Sequence, residues 1–92
     1  MVGEPFEPGA AKALIRRILA RGNVFLSFHA VREMAKDGLT YNDVVHVLRG
    51  GQVNFPELEK GSWRYRVETR KICVVIAFDS EVRLSVVTVW RR

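Results

Sequence analysis

The sequence has few of the residues that metal sites and disulfides require. It contains one cysteine and two histidines in 92 residues, so an internal disulfide is excluded. The histidines, His29 and His46, have no partners at the spacings typical of a zinc site. Gly50-Gly51 is not followed by the lysine and hydroxyl residue of a phosphate-binding loop. We therefore expect neither a metal nor another cofactor.

Segments that direct a chain into a membrane are also missing. No apolar run approaches the roughly 18 residues that a membrane-spanning helix needs. The first residues, with Glu4 and Glu7, are acidic and lack the apolar stretch of a signal peptide. The lone Cys73 lies in the most apolar stretch, where it is expected to pack as a small hydrophobic side chain in a reducing compartment. These features predict a cytoplasmic protein.

Hydrophobic residues, by contrast, are abundant. They make up 48% of the chain, which favours a folded domain over a disordered tail. The length predicts a single domain over residues 1–92. Residues 1–9, with Pro5 and Pro8, are predicted to form an extended N-terminal arm.

The positive charge is concentrated in the C-terminal third. Residues 60–92 carry eight basic and three acidic side chains, whereas residues 1–59 carry seven of each, so the whole net charge of +5 lies in the later segment. A polyanion, above all a nucleic acid, is the partner that such a surface favours. The alternative is a basic domain with no such partner.

The same third predicts the sheet. Residues 62–70, 71–79 and 81–91 are rich in β-branched and aromatic side chains and are typical of consecutive antiparallel strands. Residues 52–55 favour a further strand, and residues 57–61 a polar turn. Residues 24–26 are either a small edge strand or a packed connector.

Three helices are predicted before these strands, over residues 10–21, 27–36 and 40–49. Ser27 suits the N-cap of the second helix. Thr40 and Asp43 resemble a capping box at the start of the third. The pattern predicts an α+β fold in which three N-terminal helices pack on one face of a curved antiparallel sheet of three to five strands.

One group of residues suits the cleavage of RNA without a metal. His29 lies on a polar helix face, and Arg64 and Arg66 alternate with Tyr65 on the first strand of the predicted sheet. RNA cleavage needs a base for the ribose 2′-hydroxyl, an acid for the leaving oxygen and cations against the phosphate. Histidine can move protons near neutral pH, arginine pairs with phosphate oxygens, and an aromatic ring can stack on a base.

Each of these residues also has an ordinary structural interpretation. His29 suits a surface histidine that bonds a neighbouring carbonyl, and the arginines suit ion pairs with Glu68. Thr88 suits a strand as a β-branched residue, or as an inward hydroxyl that bonds a phosphate or orients His29. Further basic side chains are predicted to bind the substrate: Arg32, Lys36, Arg70, Lys71 and Arg83.

A sequence resemblance supports the same direction. Residues 28–40 (Phe28-His29-Ala30-x-x-Glu33-Met34-Ala35-x-x-Gly38-Leu39-Thr40) resemble a family of small bacterial proteins that share a Phe-Ser-x-His-Ala-x-x-Arg-Met-x-x-Arg-Gly-Ile pattern. Residues 43–48 fit the Asp-Val-x-x-Val-Leu helix that follows in that family, and residues 63–67 and 86–90 fit its strands. The family resembles the RelE superfamily of toxins, and its layout is similar to that of the MqsR mRNA interferases.

The resemblance implies a RelE/barnase-like fold and the toxin of a type II toxin–antitoxin pair. Such a toxin is an endoribonuclease that cleaves free or ribosome-bound mRNA and is held inactive by a cognate antitoxin. By this resemblance His29, Arg64, Arg66 and Thr88 match family positions and Tyr65 helps orient the substrate. Glu33 departs from the pattern, which has arginine there.

Two other functions remain open at this point. One is a toxin of the same fold that binds a protein target such as gyrase without cutting RNA. The other is a non-catalytic module that binds RNA or protein.

Overall fold

The computed structural model describes residues 1–92, which form three helices and six strands. The elements follow the chain as α1 (Pro8–Arg21), β1 (Asn23–Leu26), α2 (Phe28–Asp37), α3 (Tyr41–Gly50), β2 (Gln52–Val53), β3 (Glu57–Glu59), β4 (Ser62–Glu68), β5 (Ile72–Ser80) and β6 (Arg83–Arg91). No helix has the length and apolar character needed to cross a membrane.

The predicted caps of the second and third helices are confirmed. The Ser27 hydroxyl accepts a hydrogen bond from the Ala30 backbone N–H, and Gly38 ends α2 in the left-handed conformation at φ 66°. At α3 the Thr40 hydroxyl accepts from the Asp43 N–H, and the Asp43 carboxylate accepts from the Thr40 N–H at 2.8 Å. The Thr40 backbone bond lowers the pKa of the Asp43 carboxyl, because it favours the charged form.

The predicted sheet is wrong in strand number and in direction. It contains six strands in the order β1-β6-β5-β4-β2, with β3 paired to the remaining half of β4. Four neighbouring pairs are antiparallel, but β1 runs parallel to β6, from Asn23 opposite Arg83 to Leu26 opposite Val86. The sheet is therefore mixed and not an antiparallel sheet of three to five strands.

Two short segments account for this correction. Residues 24–26 form an edge strand whose partner lies about 60 residues later in the chain, so local pattern gives no sign of its direction. Residues 57–59 were predicted as part of a turn because they are polar. They form β3 instead, and the turn to β4 is only Lys60-Gly61, with φ values of 51° and 78°. Two left-handed residues are typical of the tight turns that join antiparallel strands.

The sheet has one apolar face and one mixed face. Its inner face packs against α1, α2 and α3 through side chains that include Val67, Val74, Ile76, Leu84 and Val86, and these belong to one hydrophobic core. The outer face carries the alternate residues of the same strands. These include Arg64 and Arg66 on β4, Cys73 and Val75 on β5, and Thr88 and Trp90 on β6.

The N-terminal arm, which ends at Glu7 because α1 already begins at Pro8, closes one end of the core. Tyr65 is fully buried, and its hydroxyl donates to the Glu4 carboxylate at 2.9 Å and accepts from the Phe6 backbone N–H at 3.0 Å. The Phe6 and Phe78 rings pack around the Tyr65 ring, with the Tyr65 and Phe78 centroids 5.0 Å apart. Burial raises the pKa of Tyr65 to about 12. The phenol therefore fixes the arm to the sheet.

Replacing Tyr65 with phenylalanine tests this contact. Tyr65→Phe removes both hydrogen bonds and leaves the Phe6 N–H without its acceptor, so we expect a loss of about 1–2 kcal/mol in the free energy of unfolding. Urea denaturation measures it as a lower midpoint. Tyr41→Phe is the matched control, because that ring is 45% exposed. Equal midpoints for Tyr65→Phe and the wild type would show that the arm does not depend on this hydroxyl.

The same phenol predicts a loss of stability at alkaline pH. Its pKa is raised from 10.0 to about 12 in the folded protein, so between these values the unfolded chain ionises while the folded chain does not. Stability therefore falls as pH rises through this range. The buried Cys73 thiol, whose pKa burial raises to about 11, acts in the same direction. Urea titrations at pH 9 to 12 should show a shallower decline for Tyr65→Phe than for the wild type.

Candidate functional site

A cavity of about 350 Å³ opens on the outer face of the sheet. Strands β4, β5 and β6 form its floor, the start of α2 forms one wall, and β3 with the residues just before it forms another. The residues that line it are His29, Phe55, Glu57, Glu59, Arg64, Arg66, Val75, Val87, Thr88 and Trp90.

Four of the predicted catalytic residues line this one cavity. His29 comes from α2, Arg64 and Arg66 come from β4, and Thr88 comes from β6. In the sequence, 59 positions separate the first from the last. The fold thus brings together an imidazole, two guanidinium groups and a hydroxyl.

The position of His29 depends on Ser27, the residue between β1 and α2. The Ser27 backbone N–H donates to the Val86 carbonyl at 3.0 Å, and the Ser27 hydroxyl donates to the Val87 carbonyl at 2.9 Å. The same hydroxyl accepts from the Ala30 N–H and starts α2. Ser27 therefore both bonds to β6 and caps α2. This places His29, in the first turn of α2, beside the middle of β6.

An irregularity in β6 directs Thr88 to the outer face. Val75 on β5 lies opposite Thr88, but the next residue, Ile76, lies opposite Val86, so Val87 has no partner. An unpaired residue of this kind is a β-bulge, and it shifts the alternation of the side chains that follow. Both Val87 and Thr88 consequently line the cavity. Strict alternation from the buried Val86 would have turned Thr88 towards the core.

The two arginines differ in how they are held. Arg64 is half-buried, and its Nε lies 3.4 Å from the Ser62 hydroxyl. Arg66 is exposed, and its guanidinium lies 5.7 Å from the centre of the Trp90 ring. A cation over an indole face is attracted to it. The four ion pairs of the protein all lie outside this cavity, so both guanidinium groups remain available to an anion.

The prediction that Tyr65 belongs to this site is wrong. Side chains of a strand alternate between its faces, so Tyr65 points away from its neighbours Arg64 and Arg66. It lies in the core with its hydroxyl bonded to the arm. An aromatic ring at the site comes instead from Phe55, which is 75% exposed, and from Trp90.

The five basic residues predicted to bind substrate do not line the cavity. Arg32 and Lys36 are exposed on α2, and Lys36 pairs with Glu33 at 3.4 Å. Arg83 pairs with Asp79 at 3.3 Å and lies over the Phe25 ring. Arg83 lies beside the C-terminal end of β5, whereas the other two, Arg70 and Lys71, precede its N-terminal end.

Arg70 and Lys71 border a separate surface depression. Asp43 and His46 of α3 share its lining, together with the turn between β4 and β5. His46 therefore lines a different cavity from His29. Nowhere do three or more His, Cys, Asp and Glu side chains cluster as a metal site would require.

Two glutamates of the cavity were missed by sequence reasoning. Glu57 and Glu59 lie on β3 and face the same side as Arg64, which is opposite Glu57 in the register. The signal for β3 was Lys60-Gly61, because two residues that end in glycine between two extended runs favour a hairpin turn. Pairing the flanking residues across that turn would have placed both carboxylates beside the arginines.

Comparisons with known proteins give one match. A search of curated proteins found none, and a search of solved structures found none. A family model described as a domain of unknown function, DUF4258, matches residues 26–91. The matched range contains all the residues that line the cavity but not α1. Because the match covers well over half of the chain, the chain belongs to the DUF4258 family.

Proposed function

We propose that the protein is a metal-independent endoribonuclease that cleaves mRNA. The observation that carries the proposal is the convergence of His29, Arg64, Arg66 and Thr88 on one open cavity. Strands β4, β5 and β6, which form the floor of the cavity, belong to residues 60–92, the part of the chain that holds the excess of positive charge, and positive charge attracts a phosphate backbone.

The arginines would hold the phosphate at the cleaved bond. A guanidinium presents two parallel N–H donors to phosphate oxygens, and its charge stabilises the transition state as negative charge develops there. Arg64 suits this role because it is half-buried, where a charge interaction is screened less by water than at the surface. Thr88 adds a hydroxyl donor to the same floor.

His29 would transfer a proton in the reaction. An imidazole can donate or accept a proton near neutral pH, and His29 is exposed to solvent at the mouth of the cavity. Because its position is set by the Ser27 bonds to β6, the imidazole is carried on a rigid element, as proton transfer requires.

The aromatic side chains favour single-stranded RNA. Proteins that bind unpaired RNA commonly stack bases on exposed aromatic rings. Phe55 is 75% exposed, and Trp90 is half-buried beneath Arg66. A base splayed from the strand would stack on these rings while its phosphate meets the arginines.

The biological role is proposed from the sequence resemblance. We infer a cytoplasmic toxin of a type II pair, related to the RelE superfamily and similar in layout to the MqsR interferases, with a cognate antitoxin as protein partner. The charge of the toxin is +5, so an acidic partner would complement it. A gene for a small acidic protein beside this one would support the pairing.

Cleavage of a defined RNA tests the proposed activity. We expect the purified protein to cut single-stranded mRNA in excess chelator. His29→Ala should lower the rate at least about 10²-fold, as is typical for loss of a proton-transfer group. Arg64→Ala should lower it about 10²–10³-fold through lost charge stabilisation. The measurement is the single-turnover rate, with and without ribosomes.

The controls for this test are His46→Ala and Arg21→Ala, which remove the same side-chain types outside the cavity. Both should cut at the wild-type rate. An expressed wild type that arrests growth but cuts no RNA, alone or with ribosomes, would refute the endoribonuclease and favour a protein target.

Salt dependence tests the phosphate contacts separately from chemistry. Each phosphate contact to a single strand contributes about 0.7 to the slope of log K against log salt. Arg64→Ala and Arg66→Ala should each reduce the slope for an uncleavable RNA by about that amount, measured by fluorescence anisotropy. An unchanged slope in the double variant would exclude a phosphate role for this strand face.

A further inference from the structure

Cleavage of RNA through its own 2′-hydroxyl needs two proton-transfer groups. The attacking and leaving oxygens lie on opposite sides of phosphorus, so one group takes the proton from the 2′-hydroxyl while another protonates the leaving 5′-oxygen. A single imidazole cannot stand on both sides of the same phosphorus. The proposed site therefore needs a second group beside His29.

The cavity offers few candidates for that second group. It holds one histidine, since His46 belongs to the other depression. Guanidinium groups stay protonated in proteins, and a threonine hydroxyl does not titrate near neutral pH. Glu57 and Glu59 are the remaining titratable side chains of the lining.

The Glu57 and Glu59 carboxylates are exposed, and neither is held by a hydrogen bond or an ion pair within the protein. None of the four ion pairs involves them. Glu68, also on the outer face, differs, because its carboxylate accepts from the Asn54 amide at 2.9 Å and pairs with Arg92 at 3.5 Å. A cavity that only bound phosphate would gain nothing from two free negative charges, which repel it.

Glu57 is better placed than Glu59. It lies directly opposite Arg64 across the β3–β4 pairing, whereas Glu59 lies opposite Ser62, next to the exposed Lys60-Gly61 turn. The phosphate that Arg64 holds would thus be within the reach of the Glu57 side chain. The other charged groups on the lining are His29 from α2, Arg66 from β4 and Glu59 from β3 itself.

We propose that Glu57 is the general base of this site and that His29 is its general acid, an assignment that rests on the proposed endoribonuclease function. The Glu57 carboxylate takes the proton of the 2′-hydroxyl as the O2′–P bond forms. The P–O5′ bond breaks, and the His29 imidazolium gives its proton to the departing 5′-oxygen. The products are a 2′,3′-cyclic phosphate and a 5′-hydroxyl, with no change in oxidation state.

The pH dependence of single-turnover cleavage tests the assignment. The full chain at saturating concentration is mixed with a defined single-stranded RNA in chelator, from pH 4 to 9. The wild type should give a bell-shaped profile, because the base must be ionised and the acid protonated. Glu57→Gln should lower the maximal rate about 10²–10⁴-fold and abolish the rise on the acid side, while His29→Gln abolishes the fall on the alkaline side.

Glu33→Gln is the matched control, since it removes a carboxylate from α2 outside the cavity and should keep the wild-type bell. A Glu57→Gln variant that keeps the acid-side rise overturns the assignment, as does loss of that rise in Glu59→Gln alone. If the Glu57 charge served only to keep the exposed edge of β3 from pairing with another chain, the Glu57→Gln profile would keep its acid-side rise. If the wild type cuts no RNA at any pH, the proposed function itself fails.

Discussion

The bulge at Val87 is the constraint on which the site depends. It is a single unpaired residue, yet it sets which side chains of β6 face outward from that point on. Its carbonyl also accepts the Ser27 hydroxyl, and that bond fixes where α2 starts. Thr88 and His29 are therefore positioned by one irregularity, although they are 59 positions apart in the chain.

The two faces of the sheet carry different kinds of side chain. The inner face is apolar and holds the helices, and the N-terminal arm completes it over Tyr65. The outer face carries charged groups that no ion pair uses. Because alternate residues of β4 point to opposite faces, substitution of Arg64 or Arg66 leaves the core intact, whereas substitution of Tyr65 disturbs it. The family match begins at residue 26, so it contains every residue that lines the cavity of the outer face.

The sequence predicted the local features well because they depend on neighbouring residues. The caps at Ser27 and Thr40 and the long strands β4, β5 and β6 follow from short-range patterns. The direction of β1 did not, because its partner is distant in the chain. Tyr65 was misplaced for another reason: its residue type suits a stacking role, but alternation along β4 decides its face. The Glu57–Arg64 pairing could have been found by taking Lys60-Gly61 as a hairpin turn.

The contact between Arg66 and Trp90 gives the protein an intrinsic optical reporter. Indole emission responds to a nearby charge and to stacking, and Trp90 lines the cavity with a guanidinium 5.7 Å from its ring centre. The other tryptophan, Trp63, packs against the core from the inner face. The two indoles thus lie on opposite faces of one sheet, and only Trp90 is placed to respond to a molecule bound in the cavity.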